Sequence, residues 1–405
     1  MTGKSSTGRR PRTALAGLGG RVDFTGDRAV GERLALALAV GEGDDARILT
    51  HGFHTWPARF HPLMVRRLLG DLPRRARVLD PFCGSGTTLV EAAVVGLAGV
   101  GVELNPLGVM LARLKATPWS PMDRAALVAG AQRVCEIAMA EMRAARRKST
   151  PPPKNAPPRK QTRFDDPRRY PPHVYRELVS LRLAIGQVPE ERIQNALLLA
   201  LSSIVVKVSW DRSDTDPTPI SKSIARGAAT RHFGRRVEEL EGRMAAFAAV
   251  VPEGTPLPEL YGGDARKLDG IPSASIDRVV TSPPYLGTYD YASLHARRMG
   301  WLGLDTTALA LGEIGARREG DDPAAALIEW EKDTAAWVGE LARVMKPGAT
   351  AFVMVGDSRL GNLHIVGWEM LAKVAGRGSY LDVIARAAQP RPLGKEHLVA
   401  LRRRG

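Results

Sequence analysis

Apolar residues along the chain fall into short runs with two different periods. Arg77-Val78-Leu79 and Gly99-Val100-Gly101-Val102-Glu103-Leu104 are brief apolar runs, and Thr87 to Val95 between them repeats its apolar positions at helical spacing. Strand, helix and strand with short connections predict one unit of a parallel α/β sheet. The rhythm returns at Glu259 to Asp264 and at Arg278 to Thr281. A helix over Trp330 to Met345 stops at Lys346-Pro347-Gly348, and Ala349 to Gly356 predicts a fifth strand. Two last strands fit Leu381 to Ala387 and His397 to Leu401, joined across Pro390-Arg391-Pro392. Ahead of the first strand, Glu32 to Val40 predicts a short helix ended by Gly41 to Asp45, and Leu63 to Leu69 an amphipathic one.

Between the second and third strands the alternation stops. Helical patterns cover residues 121–148, 174–185, 189–208 and 228–251. A Pro-rich, basic stretch from Ser149 to Pro172 has no apolar period, and Trp210 to Pro217 reads as a polar turn. Four parts follow: a basic arm and short helix over 1–50, an α/β part over 51–118, a helical insertion over 119–255, and a second α/β part over 256–405. No internal repeat is evident.

Composition changes this picture in one respect. The 405 residues are 44% hydrophobic and 25% charged, ordinary for a globular protein, but 58 Lys and Arg against 43 Asp and Glu leave a net charge of +15. Such a surplus suits a polyanionic partner, since Lys and Arg release counterions from phosphates; the plainer alternative is an Arg-rich surface that only solvates the fold. Two cysteines, Cys83 and Cys135, make no disulfide framework and no CxxC zinc spacing, which points to a reducing cytoplasm and no metal. No apolar run reaches the ~20 residues of a membrane helix. The basic start lacks the apolar core of a secretory signal, and Gly3-Lys4-Ser5 lacks the strand a phosphate-binding loop needs.

Two segments carry chemistry. Asp80-Pro81-Phe82-Cys83-Gly84-Ser85-Gly86-Thr87-Thr88 links the first strand to its helix, where Gly84 and Gly86 let backbone approach a ligand. Thr281-Ser282-Pro283-Pro284-Tyr285 follows the fourth strand and puts a hydroxyl, a proline carbonyl and an aromatic ring at the carboxyl end of a sheet, where open α/β folds bind ligands. Together the two segments resemble those of S-adenosylmethionine-dependent amino-DNA methyltransferases, and Ser-Pro-Pro-Tyr is the form typical of cytosine-N4 enzymes. Relatives acting on adenine N6 usually carry Asp or Asn where Ser282 stands.

The resemblance implies a Rossmann-like class I methyltransferase fold: a mostly parallel seven-stranded sheet with an antiparallel final strand, plus the helical insertion. It implies S-adenosylmethionine as cofactor and double-stranded DNA as substrate, with the target base flipped out. It leaves room for a cognate restriction endonuclease in a restriction-modification or defence system. Glu103, ending the second strand, is placed to accept both ribose hydroxyls, and Asp264 the adenine amine. Phe60, His61 and Pro62 match the segment beside the methionine moiety; Asp80, Phe82, Gly84 and Gly86 match the loop beneath it, with Thr87 and Asn105 completing the set. His61 reads equally as a hydrogen-bonded structural histidine. Cys83 reads as packing, because a cytosine-C5 nucleophile needs Pro-Cys after the fourth strand, where this chain has Pro-Pro.

An exocyclic amine is a weak nucleophile whose lone pair is delocalised into the ring. Ser282 and the Pro283 carbonyl, accepting its two N–H groups, would aim that lone pair at the methyl carbon, with positioning and desolvation carrying the reaction and Pro284 completing the motif. Tyr285 offers a ring for the extruded base, worth ~1 to 3 kcal/mol. Tyr289 and Tyr291 either line the same cleft or pack a helix. In the insertion, Arg143, Arg146, Arg147, Lys148, Arg159, Lys160, Arg163, Arg168 and Arg169, with the Arg212-Ser213-Asp214-Thr215 segment, Lys222 and Arg226, are candidates for target recognition or a solvated linker. Three functions stay open: a cytosine-N4 DNA methyltransferase; an adenine-N6 or RNA enzyme of the same mechanism; and a DNA-binding protein without turnover.

Overall fold

The computed structural model describes residues 22–41, 44–147, 164–214, 216–288, 290–316, 322–378, 381–391 and 394–405. Its strands are β1 (Asp23–Gly26), β2 (Arg77–Asp80), β3 (Ala98–Glu103), β4 (Asp211–Ser213), β5 (Asp216–Pro219), β6 (Glu259–Gly262), β7 (Ile276–Thr281), β8 (Met345–Gly356), β9 (Ser358–Leu360), β10 (Leu363–Ile365), β11 (Leu381–Arg391) and β12 (Gly394–Arg403). Its helices are α1 (Arg28–Leu38), α2 (Pro62–Leu69), α3 (Thr87–Val94), α4 (Pro106–Ala116), α5 (Pro121–Arg147), α6 (Pro172–Ile185), α7 (Glu191–Val205), α8 (Ala228–Val250), α9 (Tyr291–Leu302), α10 (Thr307–Gly312), α11 (Pro323–Val344) and α12 (Gly367–Gly376).

One sheet runs in the order β1-β11-β12-β8-β7-β2-β3-β6. Strands β8, β7, β2, β3 and β6 are parallel, and β12 is antiparallel to both β8 and β11. This is the Rossmann-like sheet with an antiparallel final strand that the sequence leads one to expect, with one strand more. The extra strand, β1, has every residue exposed and so no apolar alternation to announce it. It forms because β11 offers an open edge, pairing Asp23 with Ala388 through to Gly26 with Ala385. Gly26 holds a φ of +94°, and a Cβ there would lie 2.3 Å from the Ile384 carbonyl, so only glycine fits. A second difference lies at Trp210 to Pro217, expected as a turn: the short hairpin β4–β5 forms there instead.

The central strands are buried on both faces, and their side chains alternate between two cores. Leu79, Val279, Val353 and Leu401 pack with Trp337 and Leu341 of α11 and Leu371 of α12. Val78, Val280, Phe352 and Leu398 pack on the opposite face with Leu34 of α1 and Met64, Val65 and Leu68 of α2. No described helix is long and apolar enough to cross a membrane.

Helices α5 to α8, between β3 and β6, share a third core with α4 and α9. Its anchor is Trp301 of α9, fully buried, whose indole N–H donates to the Tyr170 hydroxyl at 2.9 Å. Arg298 of α9 pairs with Asp214 at 2.8 Å, and Arg182 of α6 donates to the Trp301 carbonyl at 2.9 Å. The insertion is therefore bolted to the helix that follows the Ser-Pro-Pro-Tyr segment. Trp301→Ala is expected to destabilise the protein by ~3 to 5 kcal/mol, lost packing plus a cavity, read as a lower thermal unfolding midpoint.

Candidate active site

Strand β2 delivers Asp80 to the interior at its carboxyl end. The carboxylate accepts from the Thr281 hydroxyl at 2.7 Å, the Thr88 hydroxyl at 2.8 Å and the Phe82 amide at 3.2 Å. Burial outweighs these donors and pushes its pKa up to about 6. The Thr281 bond ties the end of β7 to the end of β2, so the two chemistry-bearing segments are one structure. Gly84 (φ +51°) and Gly86 (φ +88°) turn the chain into α3. A Cβ on Gly86 would lie 2.8 Å from Ala112 Cα of α4, and one on Gly84 2.7 Å from Trp56 Nε1.

Glu103 ends β3 one strand away. It accepts from the Gly84 amide at 2.7 Å and the Asn105 amide at 2.8 Å, yet burial still raises its pKa to about 7. Asn105 caps α4, its Oδ1 accepting from the Leu107 amide at 3.0 Å. Its Nδ2 is buried without a hydrogen-bond partner among the described residues. Asp264, after β6, is gripped by Arg266 at 2.6 Å, and Arg266 also pairs with Asp333 at 2.7 Å. That carboxylate, expected to await an adenine amine, already has a cationic partner.

These elements enclose a cleft of about 890 Å³, open solvent at its mouth included. Of the residues singled out in the sequence, Phe60, Asp80, Phe82, Gly84, Thr87, Glu103, Asn105, Asp264, Ser282 and Pro284 line it. His61, Pro62, Gly86, Pro283 and Tyr285 stand behind the wall. His61 instead caps α2, its Nδ1 accepting from the Leu63 amide at 3.3 Å and its Nε2 donating to the Asp44 carbonyl at 3.3 Å; Pro62 is the first helical residue. Gly86 is covered by α4. Tyr285, expected as a stacking surface, is buried: its hydroxyl donates to Glu396 at 2.6 Å, and the Arg391 guanidinium lies 5.5 Å from its ring centre.

Residues that sequence reasoning passed over also line the cleft. Arg59 stands there, anchored to the His51 carbonyl at 2.5 Å, with burial lowering its pKa. Trp56 belongs to the wall too, and so does Tyr291, for which the sequence left cleft lining and helix packing open: Trp56 stacks on His295 at 4.4 Å and 17°, and Tyr291 lies nearly parallel to the same ring at 6.4 Å. Both His295 ring nitrogens lack partners among the described residues, and burial pushes its pKa down to about 3, so the ring is neutral. Glu313 enters from the loop after α10 and accepts from the Tyr291 amide at 2.5 Å. Of the Phe60-His61-Pro62 segment named in the sequence, only packing separates the wall residue, Phe60, from the structural ones. Tyr289, Lys148, Arg159, Lys160, Arg163 and Thr215 lie outside the described residues. Arg168, Arg169 and Arg212 pair with Asp166, Asp211 and Asp216.

S-adenosylmethionine, the cofactor implied by the resemblance, fits this residue set. Each Glu103 oxygen accepts one amide and has a further lone pair for the ribose hydroxyls, and the orphaned Asn105 amide is an unspent donor. The Gly84 turn leaves backbone where a Cβ would intrude, and Arg59 supplies a cation for a carboxylate.

Residues 66–131 match the family model UPF0020, an RMKL-like methyltransferase domain. The chain is 26% identical to the type II methyltransferase M.MvaI of Kocuria varians, over 63% of this chain and 58% of that protein. It is 34% identical to the type II methyltransferase M.MjaII of Methanocaldococcus jannaschii, over 16% of this chain and 12% of that protein. It thus spans less than two thirds of the length of either curated relative. A solved SAM-dependent methyltransferase of Methanosarcina mazei aligns with 87% of this chain and 99% of its own, at 11% identity and a TM-score of 0.32.

Proposed function

We propose that this chain is an S-adenosylmethionine-dependent DNA methyltransferase acting on an exocyclic amine, cytosine N4 in the form its Ser-Pro-Pro-Tyr segment favours. One observation carries the reading: Ser282 and the Gly84 loop open onto one cleft, and Asp80 joins their strands through Thr281 at 2.7 Å. When bound, the cofactor would supply the methyl group as an activated sulfonium. Glu103, Asn105 and Arg59 would hold its ribose, adenine and carboxylate. The Ser282 hydroxyl, the one of the two expected acceptors whose residue lines the cleft, would accept an amine N–H and so turn the lone pair towards the methyl carbon. Tyr291 takes the stacking role in place of Tyr285, because its ring is the one at the wall. The net charge of +15 supports DNA as the partner. A role as the modification half of a restriction system, with a cognate endonuclease, completes the proposal.

Nucleoside mass spectrometry of DNA and total RNA, after incubation with the protein and isotopically labelled S-adenosylmethionine, tests it. Label on N4-methylcytosine in DNA is the expected result; label on adenine or RNA would replace the substrate and keep the mechanism, and no label in either would sink the enzyme reading.

Cofactor binding carries its own pH dependence. The ribose hydroxyls donate, so the ionised form of Glu103 is the binding form. With its pKa near 7, protonation on the acid side competes with the cofactor. The dissociation constant is expected to rise about tenfold from about pH 8 to about pH 6, and calorimetry should show that slope vanish in Glu103→Gln, whose affinity is weaker throughout.

A further inference from the structure

Methylation leaves the amine with a positive charge and a proton to lose, and the Ser282 hydroxyl is far too weak a base to keep it. Behind Ser282 lies a chain of groups that the methyl-transfer geometry does not use. The Tyr285 hydroxyl donates to Glu396 Oε1 at 2.6 Å and lies 3.3 Å from Ser282 Oγ. A phenol has one proton, here committed to Glu396, so Ser282 must be the donor in the second contact. Its lone pairs are thereby left to accept from the cleft.

Glu396, near the start of β12, is only 4% exposed. From β11, Arg391 approaches Glu396 Oε2 at 3.4 Å and also donates to the Asp357 carbonyl. The Asp357 carboxylate, after β8, accepts from His397 Nε2 at 3.0 Å and the Lys395 amide at 2.8 Å. We propose that Ser282, Tyr285 and Glu396 form a proton relay that draws the proton of the methylated amine into the interior. This rests on the reading of Ser282 as the amine-contacting residue.

The step balances along the chain. The amine N–H proton passes to Ser282 Oγ, the Ser282 proton to the Tyr285 oxygen, and the phenolic proton to Glu396 Oε1. One N–H bond is broken, one carboxyl O–H bond is formed, and both hydroxyls are restored. Once product leaves, the reverse shift returns the proton to water in the cleft. Burial raises the pKa of Glu396, with the Asp357 charge adding to it and Arg391 and the Tyr285 hydrogen bond opposing, which strengthens Glu396 as an acceptor. Tyr285 is buried in this account because its hydroxyl, and not its ring face, does the work.

The test is single-turnover transfer to unmodified genomic DNA at saturating labelled cofactor, from about pH 5 to about pH 9, for the parent, Glu396→Gln and Tyr285→Phe. Saturation keeps the Glu103 titration out of the rate. The parent rate is expected to fall on the acid side. Each variant should be slower by about 10²-fold with cofactor affinity intact, and Glu396→Gln should lose the acid limb. Parent-like rates in both variants, or a slow Glu396→Gln that keeps the parental acid limb, would overturn the relay while leaving the proposed function standing. Absence of transfer by the parent protein would overturn both. Retained calorimetric binding identifies a folded variant, and Tyr285→Phe serves if Glu396→Gln fails to fold.

Discussion

Ser282→Ala is expected to slow methyl transfer by about 10²- to 10³-fold while leaving S-adenosylmethionine affinity within about twofold of the parent, the range seen when one positioned hydrogen-bonding group is removed. Ser282 is on the cleft wall, and its hydroxyl contacts that of Tyr285 at 3.3 Å. The groups assigned to the cofactor, Glu103 and Asn105, belong to β3 and the start of α4. Alanine removes the acceptor that aims the amine and also cuts the first link to Glu396, so both losses fall on the rate. Calorimetry paired with single-turnover kinetics separates rate from affinity. A parallel loss of cofactor affinity would place Ser282 in the cofactor site and remove the division of labour.

The second large effect is expected from Gly84→Arg, which should raise the cofactor dissociation constant by more than about 10³-fold, roughly 4 kcal/mol. Gly84 has a φ of +51°, a conformation that costs an L-residue about 1 to 2 kcal/mol. Its Cβ would meet Trp56 Nε1 at 2.7 Å, and that ring cannot yield cheaply because it stacks on His295. The new guanidinium would enter the cleft beside Glu103 and compete for the carboxylate. Thermal unfolding should show a loss much smaller than the loss of binding, since the strain is confined to one turn. Near-parental binding by this variant would mean that the loop does not cradle the cofactor.

What was legible in the sequence shares one property: it is local. The β2–α3 turn shows itself through Gly84 and Gly86 because positive φ and close approach demand glycine at those positions. Glu103 follows one strand later, and Ser282 directly follows β7, so strand ends alone bring them to one edge of the sheet. His61 illustrates the limit. A histidine before proline and an apolar run is as good a helix cap as a pocket residue, and only the contacts with Leu63 and Asp44 decide for the cap.

The sequence by itself determined the alternating α/β plan, the helical interruption and the two chemical segments, since period, glycine placement and strand ends act within a few residues. Tertiary structure alone decided the rest. It added β1, which exists because β11 has an edge to fill. It placed Arg59 and Glu313 in the cleft, turned Tyr285 inward and Tyr291 to the wall, and satisfied Asp264 with Arg266. It also brought Glu396 to within 2.6 Å of a tyrosine more than a hundred positions away. No periodicity records such a meeting, because it depends on β12 lying antiparallel beside β8, a pairing set by the closing of the whole sheet.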